Sequence, residues 1–131
     1  KRLNLEIVEQ YSNVVEWLGP RSDIQELMLS ADAFVLPTFR EGFSRVLLEA
    51  SALGLPSITT NVPGTNEIVR HLKEGLHIEV DNSADLANAM IQLAADRSLA
   101  ENMGNNARLH VKQFSLSVIS DKYIDLYKKA I

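Results

Sequence analysis

The sequence predicts an α/β fold, a Rossmann-like parallel sheet with flanking helices. Short apolar strands start about every twenty residues and alternate with segments of helical periodicity, which is typical of βαβ units. Three helical segments follow the last strand, and we expect them to cover the sheet. The 131 residues suffice for a single domain with its own hydrophobic core.

Apolar periodicity and boundary signals predict eleven elements. In chain order they are helix 2–11, strand 14–18, helix 22–31, strand 33–36, helix 44–53, strand 57–60, helix 65–72, strand 76–80 and helices starting at about residues 83, 99 and 115. Ser22 with Gln25 is a capping-box pattern, and Ser44 and Ser83 are predicted N-caps. Gly54 followed by Pro56 is typical of a helix end.

Composition excludes several classes of function. The formal net charge of −4 and the absence of a basic stripe argue against nucleic-acid binding. No cysteine is present, so disulfides and thiol chemistry are excluded, and a reducing, cytoplasmic compartment is favoured. The longest apolar runs are far shorter than a membrane span. The chain starts at Lys1 without a methionine, and we expect it to be a fragment of a longer protein.

The ligand site is predicted at three loops that follow strands, residues 19–21, 37–43 and 60–65. Ligands of open α/β sheets bind outside the carboxyl ends of the strands. The middle loop carries Glu41, which precedes Gly42 and Phe43 and has no obvious capping role. We therefore select Glu41 as a candidate functional carboxylate.

Glu49 is a second candidate, because helix 44–53 is apolar on nearly all sides and is predicted to be buried. A buried carboxylate without partners costs several kcal/mol. An ion pair with Arg45, four residues earlier, would be a structural solution. Hydrogen bonds to the hydroxyl groups of a ligand would be a functional solution. Both interpretations remain open at this point, with the functional one favoured.

The spacing of Glu41 and Glu49 argues against a hydrolase pair. Their carboxylates are expected on the order of 10 Å apart, since Glu49 lies more than a turn inside the helix. Glycosidase carboxyls are about 5 to 9.5 Å apart. Between the two acids, the free N–H groups of residues 43–46, Arg45 among them, are predicted to form an anion site. This order suits a sugar, a diphosphate and a ribose.

Residues 40–56, REGFSRVLLEASALGLP, resemble the E-x7-E block of family-four (group 1) retaining glycosyltransferases. The similarity extends to residues 63–69 and, upstream, to residues 15–19 and 31–37. It implies the C-terminal, nucleotide-sugar-binding half of a GT-B enzyme of two domains. Such an enzyme transfers a sugar from a nucleotide diphosphate donor to a glycan, lipid or small-molecule acceptor, for example in polysaccharide biosynthesis, and needs no cofactor.

The resemblance also implies roles for individual residues. It implies that Glu41 contacts the hydroxyls of the donor sugar on the reacting face and that Glu49 holds the ribose hydroxyls. Backbone N–H groups of Gly42, Phe43 and Ser44 would contact the sugar and phosphate. The loop of Arg21 would meet the base through its backbone. The side chain of Leu48 would pack near the ribose.

Some features depart from the family pattern. The basic pair that neutralises the diphosphate belongs to a segment upstream of Lys1, as does the acceptor-binding domain. Ser44 stands where glycine is most common, and Pro63 where glycine often lies. The resemblance therefore implies that the fragment binds donor weakly and transfers nothing alone. Peripheral membrane association of the full-length protein is also compatible with it.

Metal-independent chemistry is predicted, because no Asp-x-Asp pair is present and the three histidines, His71, His77 and His110, share no ligand spacing.

A non-catalytic Rossmann-like nucleotide-binding or regulatory module is the alternative function. Nucleotide and nucleotide-sugar titrations would separate the two, because a donor site requires responses at residues 40–49.

Overall fold

The computed structural model describes residues 4–114 and residue 128. In chain order the elements are α1 (Leu5–Gln10), α2 (Ile24–Leu29), β1 (Phe34–Leu36), α3 (Arg45–Ala52), β2 (Ser57–Thr60), β3 (Gly75–Ile78), α4 (Ser83–Ala95), α5 (Arg97–His110) and a 3₁₀ helix (Val111–Phe114). The helix predicted from Ser115 lies outside the described residues.

The three strands form a parallel sheet in the order β1-β2-β3. Val35 pairs with Ile58, and Ile58 pairs with Leu76. All four residues of the central strand β2 are buried. Parallel pairing, with α3 in the crossover from β1 to β2 and helices on both faces, confirms the predicted α/β, Rossmann-like class.

Helices cover both faces of the sheet. One face packs on α4 and α5 through a cluster that includes Ile58, Leu93 and Met103. The other face packs on α3, where Phe34 and Leu36 contact the cluster around Leu47. This alternation along β1 follows from the opposite directions of successive side chains in a strand. This short, fully apolar strand is therefore covered on both faces, and its three residues are half-buried.

The strand predicted over residues 14–18 is wrong for the described structure. This segment has no regular structure, and its apolar side chains are exposed, including Trp17 at 58%. A strand is stable only with a hydrogen-bonded neighbour and a surface to cover. Among the described residues β1 pairs with β2 alone, and no strand borders its other edge.

Two predicted helix caps are also wrong. Ser22 does not cap α2, which begins after Asp23. The Asp23 carboxylate makes no capping hydrogen bond and instead accepts hydrogen bonds from Arg21. Asn82 caps α4 in place of Ser83, since its side chain accepts a hydrogen bond of 2.9 Å from the N–H of Asp85.

Residues 65–72 form turns in place of the predicted helix. The Thr65 hydroxyl donates to the carbonyl oxygens of Thr60 and Val62, which fixes a turn immediately after β2. Leu72 has a φ of 65° and donates its N–H to the Gly75 oxygen. Side-chain-to-backbone hydrogen bonds such as those of Thr65 compete with the backbone hydrogen bonds of a helix.

Candidate functional site

The loops that follow β1 and β2 are joined by side-chain hydroxyl groups. Thr59 Oγ1 donates a hydrogen bond of 2.9 Å to the Leu36 carbonyl oxygen, and Thr60 Oγ1 donates one of 2.5 Å to that of Thr38. Both threonines are buried. The structure therefore brings together two of the three loops selected from the sequence, at the carboxyl ends of neighbouring strands.

Gly64 brings the backbones of these two loops into close contact. Its φ of 93° is in the left-handed region, and a Cβ there would lie 2.6 Å from the Glu41 carbonyl oxygen and closer still to that of Gly42. Only glycine fits such a position without displacement. The turn after β2 thus packs directly on the backbone that carries Glu41.

We call residues 37–43 the Glu41 loop. Within the described chain, no hydrogen bond or ion pair engages Glu41, Gly42 or Phe43. Glu41 is half-buried, and Gly42 and Phe43 are exposed. The Glu41 carboxylate is therefore available to a ligand at the edge of the sheet.

The N-terminus of α3 follows this loop, and Ser44 is its N-cap as predicted. Ser44 is buried, and its Oγ accepts a hydrogen bond of 3.3 Å from the N–H of Leu47. The N–H groups of Arg45 and Val46 have no acceptor among the described residues, as expected for a first helical turn. Such groups can bind an anion.

Glu49 is half-buried on α3 and has no ion pair or hydrogen bond from its side chain in residues 4–114. The predicted burial of α3 on nearly all sides is wrong, because Arg45 and Ala52 are exposed. The possible ion pair between Arg45 and Glu49 is not formed. Partial exposure explains how Glu49 tolerates an unpaired charge, and it leaves both carboxylate oxygens able to accept hydrogen bonds.

The remaining two candidates are Leu48 and Arg21. Leu48 packs against the apolar cluster of Leu47, Ile68 and Val69. Its position beside a ribose stays a prediction.

Arg21 is exposed and binds Asp23 through two hydrogen bonds of 2.6 Å. These bonds raise the pKa of Arg21 and lower the pKa of Asp23. No hydrogen bond joins Arg21 to the Glu41 loop in the described part, so its role toward a base also stays a prediction.

Two contacts in the described structure were not predicted from the sequence. Phe114 places its ring edge-on to Phe43, with ring centroids 5.3 Å apart. Glu74 is completely buried and is bound by the guanidinium and by the N–H of Arg70, the latter at 2.8 Å. The sequence carries no local signal for the first contact, whereas the spacing of Arg70 and Glu74 was a signal for the second.

Opposing effects determine the ionisation of Glu74. Burial alone would raise its pKa, but hydrogen bonds from Arg70 and the charge of His110 outweigh burial and hold the pKa below the ordinary value of 4.5. The pKa of Arg70 is raised by its hydrogen bonds to Glu74. The pair fixes the turn that leads into β3.

Among the described residues, no group of three or more histidine or acidic side chains is arranged to hold a metal ion. Within the same residues, no helix has the length and apolar character needed to cross a membrane.

Comparison with known proteins gives matches over most of the chain. Residues 5–110 match the family described as "Glycosyl transferases group 1". The chain is 35% identical over 120 residues to N,N'-diacetylbacillosaminyl-diphospho-undecaprenol alpha-1,3-N-acetylgalactosaminyltransferase of Campylobacter jejuni, which covers 92% of this chain and 32% of that protein. The chain spans about a third of the length of the curated relatives it matches.

Solved structures share the fold. HepE of Anabaena, in complex with UDP, superimposes with a TM-score of 0.86 at 25% identity, covering 95% of this chain and 36% of HepE. The C-terminal domain of the group 1 family protein LpcC of Francisella tularensis superimposes with a TM-score of 0.70 at 22% identity, covering 83% of this chain and 58% of that one. The latter likeness concerns the fold alone.

Proposed function

This chain belongs to the group 1 glycosyl transferase family, and on that premise we propose that it binds the nucleotide diphosphate sugar donor of a retaining glycosyltransferase. The observation that carries the proposal is the arrangement of two carboxylates around one helix start. Glu41 precedes the N-terminus of α3, Glu49 follows it, and neither has a partner within the described residues. The complex of HepE with UDP supports the same class of ligand.

Each part of the site has a chemical role in this proposal. The Glu41 carboxylate accepts hydrogen bonds from donor-sugar hydroxyls at the reacting face. The N–H groups of Arg45 and Val46 neutralise part of the diphosphate charge, because the positive end of the helix dipole lies there. Glu49 binds the two ribose hydroxyls through its two oxygens. Ser44 holds the helix start in place through its capping bond.

We also propose that the chain is the donor-binding domain of a longer protein with two domains. Its span of about a third of its relatives' length supports this. The acceptor, a glycan, lipid or small molecule with a reactive hydroxyl, would bind mainly to segments outside this sequence. The reaction is proposed to be cytoplasmic and metal-independent, and the isolated chain would bind the donor without transferring the sugar.

Two alanine variants of the full-length protein test these roles. Glu41→Ala is expected to lower kcat about a hundredfold or more, because its contact is at the reacting face of the donor sugar. UDP binding is expected to change little, because UDP lacks that sugar. Glu49→Ala is expected to raise the Kd for UDP about tenfold to a hundredfold, the value of hydrogen bonds to a charged group. Glu101→Ala, at an exposed position on α5, is the control.

A normal transfer rate in Glu41→Ala would contradict the role of Glu41. The alternative, a non-catalytic nucleotide-binding or regulatory module, predicts nucleotide binding without any transfer by the parent protein. NMR titration with UDP and nucleotide sugars also separates the two. Chemical-shift changes confined to residues outside 40–49 would argue against a donor site at α3.

A further inference from the structure

Residues 41–43 of the Glu41 loop, which include the candidate carboxylate, are held by packing contacts alone. Glu41, Gly42 and Phe43 make no hydrogen bond to the described residues. One packing contact is the approach of Gly64 to the backbone of Glu41 and Gly42. The second is made by the Phe43 side chain. The position of the carboxylate therefore depends on how firmly these two contacts are fixed.

Phe114 provides the second contact. Its ring lies 5.3 Å from that of Phe43 at an interplanar angle of 62°, an edge-to-face pair. Such pairs contribute beyond the area they bury. Phe114 also packs against the buried cluster of Leu47, Ile68 and Val69. The exposed Phe43 is thus connected to the core through Phe114.

His110 fixes Phe114 in turn. The two rings are 5.4 Å apart at 82°, and Nε2 of His110 lies 2.9 Å from the Glu67 carbonyl oxygen. The amide nitrogen of Gln113 lies 2.7 Å from Nδ1 of the same ring. His110 ends α5, and Phe114 ends the 3₁₀ helix that follows. The C-terminal end of α5 therefore reaches the loop that precedes α3.

We propose that Phe114 is a positioning residue that holds Phe43, and through it Glu41 and the helix N-terminus, in the geometry that binds the donor. This inference rests on the proposed function for its effect on catalysis. Phe43 is bonded directly to Gly42 and to Ser44, the N-cap of α3, and lies two residues from Glu41. A fixed Phe43 ring limits the conformations of the loop before the donor arrives, so less entropy is lost on binding.

Four variants of the full-length protein test this role: Phe114→Ala, Phe114→Tyr, Phe43→Ala and the double alanine variant. Phe114→Ala is expected to raise the Kd for UDP and to lower kcat/KM by about three- to tenfold each, since an aromatic pair is lost and the loop is released. Phe114→Tyr keeps the ring and is expected to behave like the parent. In the Phe43→Ala background, Phe114→Ala is expected to have little further effect.

Hydrogen–deuterium exchange of the ligand-free protein gives a readout that does not require donor binding. The peptide that covers residues 38–47 is expected to exchange faster in Phe114→Ala than in the parent. Leu93→Ala is the matched control, because it removes a buried side chain from the cluster on the opposite face of the sheet. It is expected to lower stability without changing exchange of residues 38–47 selectively.

Equal effects of Phe114→Ala in the presence and absence of the Phe43 ring would overturn the proposal. Unchanged exchange of residues 38–47 in Phe114→Ala would also overturn it. Failure of the parent protein to bind any nucleotide would instead overturn the proposed function, while the exchange comparison would still decide whether Phe114 positions the loop.

Discussion

The hydroxyl group of Thr60 donates a hydrogen bond of 2.5 Å to the carbonyl oxygen of Thr38, which joins the last residue of β2 to the loop that carries Glu41. The carbonyl oxygen of Thr60 in turn accepts a bond of 2.6 Å from Thr65. One residue thus fixes both loops of the candidate site. Side-chain-to-backbone hydrogen bonds hold the two loops together, and Gly64 packs against the backbone of the Glu41 loop.

Gly64→Ala is expected to disturb the site most directly. The φ of 93° at this position costs about 1 to 3 kcal/mol for a residue with a Cβ, and the collision with the Glu41 carbonyl oxygen adds to it. We expect the Glu41 loop to move and UDP to bind about tenfold or more weakly, as measured by calorimetric titration.

Gly42→Ala is the matched control for stability. A Cβ on Gly42 would meet no atom within 4 Å, and its φ is not in the left-handed region. This variant is expected to keep the urea midpoint of the parent. A similar loss of stability in both variants would contradict the close packing of Gly64 on the Glu41 loop.

Ser44→Ala is expected to destabilise the protein by about 1 kcal/mol, because the buried hydroxyl caps α3 by accepting the N–H of Leu47. Ser44→Gly is expected to cost only a few tenths of a kcal/mol, as is typical of glycine at an N-cap. Urea unfolding of both variants gives the comparison. No measurable loss of stability in Ser44→Ala would indicate that the capping bond contributes little.

Ser51→Ala is expected to have the opposite sign, although Ser51 is as buried as Ser44 and lies on the same helix. Its hydroxyl has no hydrogen-bond partner in the described structure. Alanine removes an unsatisfied polar group and has the higher helix propensity, so stability is expected to stay equal or to rise by up to about 1 kcal/mol. Destabilisation beyond that of Ser44→Ala would reveal a partner for this hydroxyl.

The ion pair of Arg70 and Glu74 predicts a specific dependence of stability on pH. Because the folded-state pKa of Glu74 is lowered, its ionised form stabilises the fold above the ordinary value of 4.5. This contribution is lost as the pH falls through the lowered pKa. The free energy of unfolding, measured in urea between about pH 5 and pH 3, should therefore fall less steeply in Glu74→Gln than in the parent.

Arg70→Ala complements this comparison. It leaves a buried carboxylate with its backbone donor but without its guanidinium partner, which is expected to cost about 3 kcal/mol at neutral pH. In the pH experiment, a free energy of unfolding that falls as steeply in Glu74→Gln as in the parent would show that other carboxylates dominate acid unfolding.

Local signals in the sequence predicted the central part of the fold. The apolar runs of β1 and β2, the capping serine at Ser44 and the glycine at Gly54, with its φ of 77°, each act within a few residues. The rule that ligands bind outside the carboxyl ends of parallel strands predicted which loops form the site. These features depend on short-range chemistry and on topology, which a single sequence carries.

Features that depend on distant partners could not be predicted. Residues 14–18 have the composition of a strand, but pairing requires a neighbouring strand that no described residue supplies. The turns at residues 65–72 were missed for a local reason, because the Thr65 hydroxyl bonds to the Thr60 carbonyl oxygen and competes with helical hydrogen bonds. The contact of Phe43 with Phe114 joins residues far apart in the chain, and no periodicity indicates it.

Trp17 is the only tryptophan of the chain, and its side chain is mostly exposed in a segment without regular structure. Its fluorescence is expected to have the long-wavelength maximum of an indole in water both before and after unfolding of this chain. The emission maximum would therefore be a poor probe of denaturation. A shift to shorter wavelength would report instead that another surface had covered residues 14–18.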